Sequence, residues 1–178
     1  MKPSSTGVAL KWAVIYLLIS IVITYLFQFL NVDQTGGVKW LGFIPLIVFL
    51  FLAQKEYKDQ LGGYISYGDA FLPGLFFSLF AGIFGAIFSY LYFAILNPAE
   101  FERILTTTQT QMEAKGSSPD QIEAAIGFMR KGGVFLITVG SAVTVIVLGI
   151  IISLITAAIL KKERSPLEIA EANQGQQL

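Results

Sequence analysis

The sequence has no cysteine and no histidine. The first absence excludes disulfides and thiol chemistry. The two together exclude haem ligation through Cys or His and the common zinc sites. Charge is also scarce. Charged residues make up 13% of the chain, against about 25% in a typical soluble domain. So few charges cannot clothe a water-soluble globule of 178 residues. The twelve basic and twelve acidic residues cancel. No basic field draws in nucleic acid, and no nucleic-acid partner is expected.

What the chain has instead is long uncharged runs, within a composition that is 54% hydrophobic. The clearest covers residues 71–96, 26 positions without a charge. A hydrocarbon layer needs about 20 such residues, so this run reads as a membrane span rather than a core helix. Ser66-Tyr67-Gly68-Asp69 precedes it as a capping box, with Asp69 at the positive end of the helix dipole. Asp69 reads better as a helix cap than as a proton or cation site. Tyr64 and Tyr67 suit an interfacial aromatic belt.

The first span covers residues 8–30. It is too long for a signal-peptide core, and no small-residue cleavage site follows, so a retained helix is expected. Lys11 lies one turn inside and can snorkel to the headgroups. Ser20 and Thr24 are expected to bond their own helix. Residues 31–37 read as a turn. The second span covers residues 38–57, and its strictly apolar part, 40–53, is short. Lys39 can snorkel and Trp40 suits the interface, which favours a full crossing. Pro45 offers a kink. Gly62-Gly63 ends the helix that continues from this span.

In the third span, residues 70–96, Gly74, Ser78, Ala81, Gly82, Gly85 and Ser89 fall within an arc of about 100°. Phe76, Phe80, Phe84 and Phe88 repeat on another face. A strip of small residues lets a second helix approach closely. The fourth span, residues 134–160, carries a similar strip with Thr138, Ala142, Gly149, Ser153 and Thr156. Gly74, Ser78, Gly82, Gly85, Ser89, Gly149 and Ser153 are therefore the candidate helix-packing residues. Pro73 is expected to bend the third span near its start.

Residues 97–133 separate these spans. Asn97-Pro98-Ala99-Glu100 reads as an N-cap, a proline at the first helical position and an acid in the first turn. Lys115-Gly116 stops that helix, Ser118-Pro119-Asp120-Gln121 starts another, and Gly132-Gly133 ends it. The expectation is an extramembrane helical hairpin. Phe101, Ile104, Leu105 and Met112 lie on one face, and Ile122, Ile126 and Met129 form a narrower apolar strip. Glu100, Glu102, Glu113, Asp120 and Glu123 have no metal-binding or acid–base spacing. Residues 163–178 read as a loose polar tail.

The expected fold is all-α: an integral membrane protein with four transmembrane helices and a helical hairpin between the third and fourth, forming one membrane domain over residues 1–178. Four spans put both termini on one side. That side holds Lys2, Lys11, Lys55, Lys58, Lys161, Lys162 and Arg164. The other holds Lys39, Arg103, Lys115, Arg130 and Lys131. Seven against five favours both termini in the cytoplasm.

The chain resembles a family of small bacterial membrane proteins, domain-of-unknown-function family 4199. The resemblance rests on Gly62-Gly63-Tyr64-Ile65-Ser66-Tyr67-Gly68 leading into Ala70-Phe71, on Asn97-Pro98, and on Lys115-Gly116-Ser117-Ser118. It ends with the run from Ile152 to Lys162 and covers nearly the whole chain. Leu72-Pro73 departs from the family pattern, where a more polar pair without proline is usual. The resemblance implies a multi-pass protein of the bacterial cytoplasmic membrane and supplies no activity or catalytic residues.

Three function classes follow from these residues. The favoured one is a non-catalytic membrane protein acting through helix–helix association and the exposed hairpin. Its partners would be the lipid bilayer and either a second copy or another membrane protein. The alternative is a small transporter or an oligomeric channel component, weakened by spans that lack ionisable residues apart from Lys11 at an edge. An enzyme is not expected, because Asp69, Glu100 and Tyr64 at interfaces make no catalytic constellation. No catalytic residue, cofactor or metal is expected.

Overall fold

The computed structural model describes residues 3–30 and 41–163. The expected turn at 31–37, the first residues of the second span with Lys39 and Trp40, Lys2, and residues 164–178 lie outside them. Among the described residues the chain is helical, with a single antiparallel bridge between Ile65 and Lys162 and no strand. The helices are α1 (Ser5–Phe29), α2 (Ile44–Gln60), α3 (Tyr67–Leu91), α4 (Pro98–Ala114) and α5 (Pro119–Leu160). Three of them are long and apolar enough to cross a membrane: α1, α3 with its extension to Leu96, and α5.

The chain divides into two compact units. The first contains the residues up to Ala81 and those from Ile146 onward. Here α1 starts earlier than its apolar run, because Ser4 caps it: the Ser4 hydroxyl accepts from Gly7 N at 3.1 Å. Thr24 donates to the Ser20 carbonyl at 2.8 Å, one turn back in its own helix. α2 begins with Pro45 in its first turn rather than at a kink. A missing N–H costs nothing there, since first-turn amides have no intrahelical acceptor. Leu46, Leu50, Ala53, Gln54 and Tyr57 form its buried stripe. α1 packs on α2 through Trp12 and Tyr16 against Phe49, and on α3 through Tyr16 edge-on to Phe77 at 5.7 Å.

Gly62 and Gly63 both take positive φ, and the chain then turns into α3. Ser66 accepts from Asp69 N at 3.2 Å and donates to the Asp69 carboxylate at 2.9 Å. The Ile65–Lys162 bridge clasps this link to the end of α5, with N–O distances of 2.8 and 3.0 Å.

The second unit runs from Gly82 to Val145. The apolar run of α3 does not stop as a regular helix. Its last turn, Tyr92–Leu96, widens into a π-helical turn in which Asn97 N reaches the Tyr92 carbonyl at 2.7 Å. Pro98 has no N–H and disfavours the α conformation in the residue before it, so the chain leaves the helix at Asn97. Asn97 is at the position expected for an N-cap, yet its side chain makes no capping bond. Its amide donates back to the Tyr92 hydroxyl at 3.2 Å instead. The cap before α5 has the expected reciprocal form: Ser118 Oγ accepts from Gln121 N, and Gln121 Oε1 accepts from Ser118 N.

α5 is 42 residues long but not one smooth helix. At Gly133 the backbone has φ 58° and ψ −158°, a conformation nearly restricted to glycine. This break separates a first limb from the apolar run that follows. Two helices were expected to meet at Gly132-Gly133; a single non-helical residue does the work.

Candidate functional site

The described residues offer no cluster of three or more metal-ligating side chains. The informative geometry is instead helix-to-helix. In the first unit, Gly74 of α3 faces Ser153 of α5, and Ser78 of α3 faces Gly149 of α5. The two pairs are reciprocal. A Cβ on Gly74 would stand 2.1 Å from Ser153 Oγ and 2.8 Å from its Cβ. A Cβ on Gly149 would stand 2.3 Å from Ser78 Oγ and 2.7 Å from its Cβ. Four-residue spacing on both helices lets each glycine receive the serine opposite, the close approach that small-residue strips permit. Ser78 Oγ returns its proton to the Gly74 carbonyl at 2.7 Å, so the hydroxyl is satisfied within the contact.

Of the other candidate packing residues, Gly82 is buried and Ser89 half-buried in the second unit. Among the described residues, nothing beyond the backbone of its own helix lies within 4 Å of where a Gly85 Cβ would be. Gly85 makes no close approach. The hydroxyls of Thr138 and Thr156 bond carbonyls of their own helix.

A polar cluster joins three helices beside the Gly74–Ser153 contact. Gln54 of α2 is fully buried. Its Nε2 donates to Ser153 O at 3.1 Å and to Ser153 Oγ at 2.9 Å. Ser153 Oγ in turn donates to the Phe71 carbonyl of α3 at 3.1 Å. Gln54 Oε1 has no hydrogen-bond partner among the described residues. Sequence reasoning missed this cluster. Gln54 sits past the strictly apolar part of its run, where a polar residue reads as interfacial.

A second cluster ties α1 to α2. Lys11 Nζ reaches Glu56 Oε1 at 2.6 Å and also contacts Oε2. Trp12 Nε1 donates to Oε2 at 2.7 Å, and Gln60 Nε2 donates to Oε1 at 3.0 Å. Lys11 therefore has a protein partner where a snorkelling side chain was expected. Asp69 is engaged by Ser66 as a cap.

The distribution of side chains carries a further message. In the first unit α1, α3 and α5 bury many small residues, Ala9 and Ala13 of α1, Ala70, Gly74 and Ser78 of α3, and Gly149, Ser153 and Ala157 of α5, while Phe77 and the α2 residues Leu46 and Leu50 are large apolar side chains buried with them. The same three helices expose many large apolar ones, among them Leu10, Val14, Leu18 and Val22 of α1 and Ile151, Leu154, Ile155 and Ile159 of α5. A water-soluble core has the opposite arrangement. Helices that meet in lipid gain nothing by hiding leucine from solvent and pack through small residues.

In the second unit, α4 and the first limb of α5 are linked by Arg130 Nη2 to Glu102 Oε2 at 3.1 Å. Leu105 is the buried apolar residue of α4. Between the two segments lies a groove of about 660 Å³ lined by Glu113, Pro119, Ile122, Glu123, Ile126 and Arg130, with Gln109, Ser117 and Gly127.

A family described as "Protein of unknown function (DUF4199)" matches residues 11–162. The chain belongs to this family. The matched stretch includes both clusters, the glycine–serine contacts and the groove. No curated protein and no solved structure matches the chain.

Proposed function

We propose that this is a four-pass, non-catalytic protein of the bacterial cytoplasmic membrane that works by association. Its spans pack through the small-residue contacts, and α4 with the first limb of α5 forms an extramembrane hairpin that meets a partner. The observation that carries this reading is that α1, α3 and α5 pack largely through small residues and turn many large apolar side chains outward. It supports lipid as the solvent for these helices.

The fourth crossing is α2. From Leu41 its uncharged run has 14 residues, about 21 Å, and the charged residues from Lys55 to Asp59 carry the helix on toward the interface. Ile44, Ile47 and Val48 expose large apolar side chains on its outer face. Lys11 near the start of α1 meets Glu56 near the end of α2, and Ile65 before α3 meets Lys162 after α5. These contacts support an up–down order in which the start of α1 and the ends of α2 and α5 share one side. The excess of basic residues there favours the cytoplasm.

Crosslinking in native membranes, followed by identification of what co-purifies, tests the association. Crosslinks from hairpin residues to a second copy or to one membrane protein are expected. Recovery of the chain with lipid alone contradicts it. The second reading, a transporter or oligomeric channel component, is favoured by Gln54, a polar side chain with an unpartnered acceptor between three helices. Ion or metabolite flux in liposomes that Gln54→Leu abolishes would establish that reading instead.

A further inference from the structure

We propose that the groove between α4 and the first limb of α5 binds a small organic cation with an apolar body. The inference rests on the hairpin's being outside the membrane. Its volume, about 660 Å³, falls within the roughly 300–1,000 Å³ typical of small-molecule sites. Ile122 and Ile126 lie one turn apart on α5 and supply an apolar floor, with Pro119 one turn before them.

Charge selects the occupant. Three ionic side chains line the groove: Glu113, Glu123 and Arg130. Arg130 lies seven residues beyond Glu123, about 10 Å along the helix. Its guanidinium is held by Glu102, which is not part of the lining. The positive charge is thus balanced from outside. Among the described residues Glu113 accepts from the neutral amide of Gln109, at 3.0 Å, and has no ionic partner. Glu123 has no ionic partner among the described residues. Two solvent-exposed carboxylates therefore line the groove beside its apolar floor, against one lining cation that is already paired with Glu102. An anion would be repelled, and a neutral apolar molecule would gain nothing from the two acids. An ammonium on an aromatic or aliphatic body meets floor and rim together.

The test compares two probes of one shape, naphthylmethylammonium and naphthalenemethanol, on the full chain in nanodiscs of zwitterionic lipid. Equilibrium dialysis reads binding, with empty nanodiscs subtracted. The ammonium is expected to bind about threefold to tenfold more tightly than the alcohol, with a preference that shrinks as salt rises. Glu113→Gln with Glu123→Gln should abolish the preference. Glu100→Gln, outside the lining, should keep it. Equal binding of the two probes overturns the proposal, as does a preference that survives the double substitution.

A parallel arm separates this failure from failure of the hairpin reading. Thr107 is exposed on α4, so Thr107→Cys should react with a membrane-impermeant maleimide. If it reacts and the probes bind equally, the groove proposal alone falls. If it reacts from neither face, the hairpin lies in lipid and both fall.

Discussion

Adding one methyl group to Gly149 should separate two helices, and adding one to Gly85 should not. A Cβ on Gly149 would stand 2.3 Å from Ser78 Oγ. The hydroxyl can rotate away, but Ser78 Cβ remains at 2.7 Å, whereas carbon atoms pack at about 3.5–4.0 Å. The helices must therefore move apart by roughly 1 Å. Overpacking of this kind costs about 1–3 kcal/mol. The intrinsic helix preference of alanine over glycine returns about 1 kcal/mol. With so short a contact, a net loss of about 1–2 kcal/mol is expected for Gly149→Ala. In a chain this long each kcal/mol moves Tm by about 2–4 °C, so the apparent Tm should fall by about 2–8 °C.

Gly85→Ala adds its methyl to open space, gains the helix preference without the clash, and should hold or raise Tm. Thermal unfolding in mild detergent, followed by circular dichroism, measures both. Ser78→Gly combined with Gly149→Ala removes the crowded atoms and leaves Ser78 Cα at 3.5 Å, an ordinary contact. The pair should recover at least half of the loss. Equal effects of Gly149→Ala and Gly85→Ala, or no recovery in the double variant, would refute the reciprocal glycine–serine contact.

Further outcomes follow from the other sites. Glu56→Gln removes the charge that Lys11 and Trp12 share and should cost about 1–2 kcal/mol. The ion pair is half exposed and the indole bond is the stronger part, so Trp12→Phe should lose much of the same stability. Gly133→Ala forces a side chain into a glycine-only conformation and should cost about 1–3 kcal/mol in the same melting assay; an unchanged Tm would mean that the chain does not break there. Gln54→Leu gives up bonds to Ser153 but also removes the unpartnered acceptor, so stability should stay within about 1 kcal/mol of the parent. Gln54→Ala leaves a cavity and should lose about 2–4 kcal/mol.

The helices and breaks of this chain were largely legible in its residues, because they depend on local chemistry. Ser118 with Gln121, the glycine pair after α2, and Gly116 each act through neighbours a few positions away. The partners across helices were not legible. Glu56 lies 45 residues from Lys11, and Gln54 lies 99 residues from Ser153. In water, an apolar stripe reveals the inward face of a helix. Here α1 is apolar on nearly every face, and its inward residues, Val8, Ala9, Ala13, Trp12 and Tyr16, do not stand out as an apolar stripe. The small-residue rule pointed to Gly74 and Gly149, which sit in close contact, and to Gly85, which faces open space. A strip of small residues is necessary for close approach but does not say how far along its length the neighbouring helix stays near. The π-helical turn at Tyr92–Leu96 escaped notice because proline at 98 stops a helix without fixing how its last turn relaxes.

The most direct test uses the absence of native cysteine. Thr6→Cys, at the start of α1, and Thr107→Cys, on α4, can each be labelled in sealed vesicles with an impermeant maleimide. On the proposed four-pass arrangement, three crossings by α1, α2 and α3 put these two positions on opposite faces, so each should react from a different side. Reaction of both from the same face would mean that α2 does not cross, and the four-pass arrangement would be contradicted.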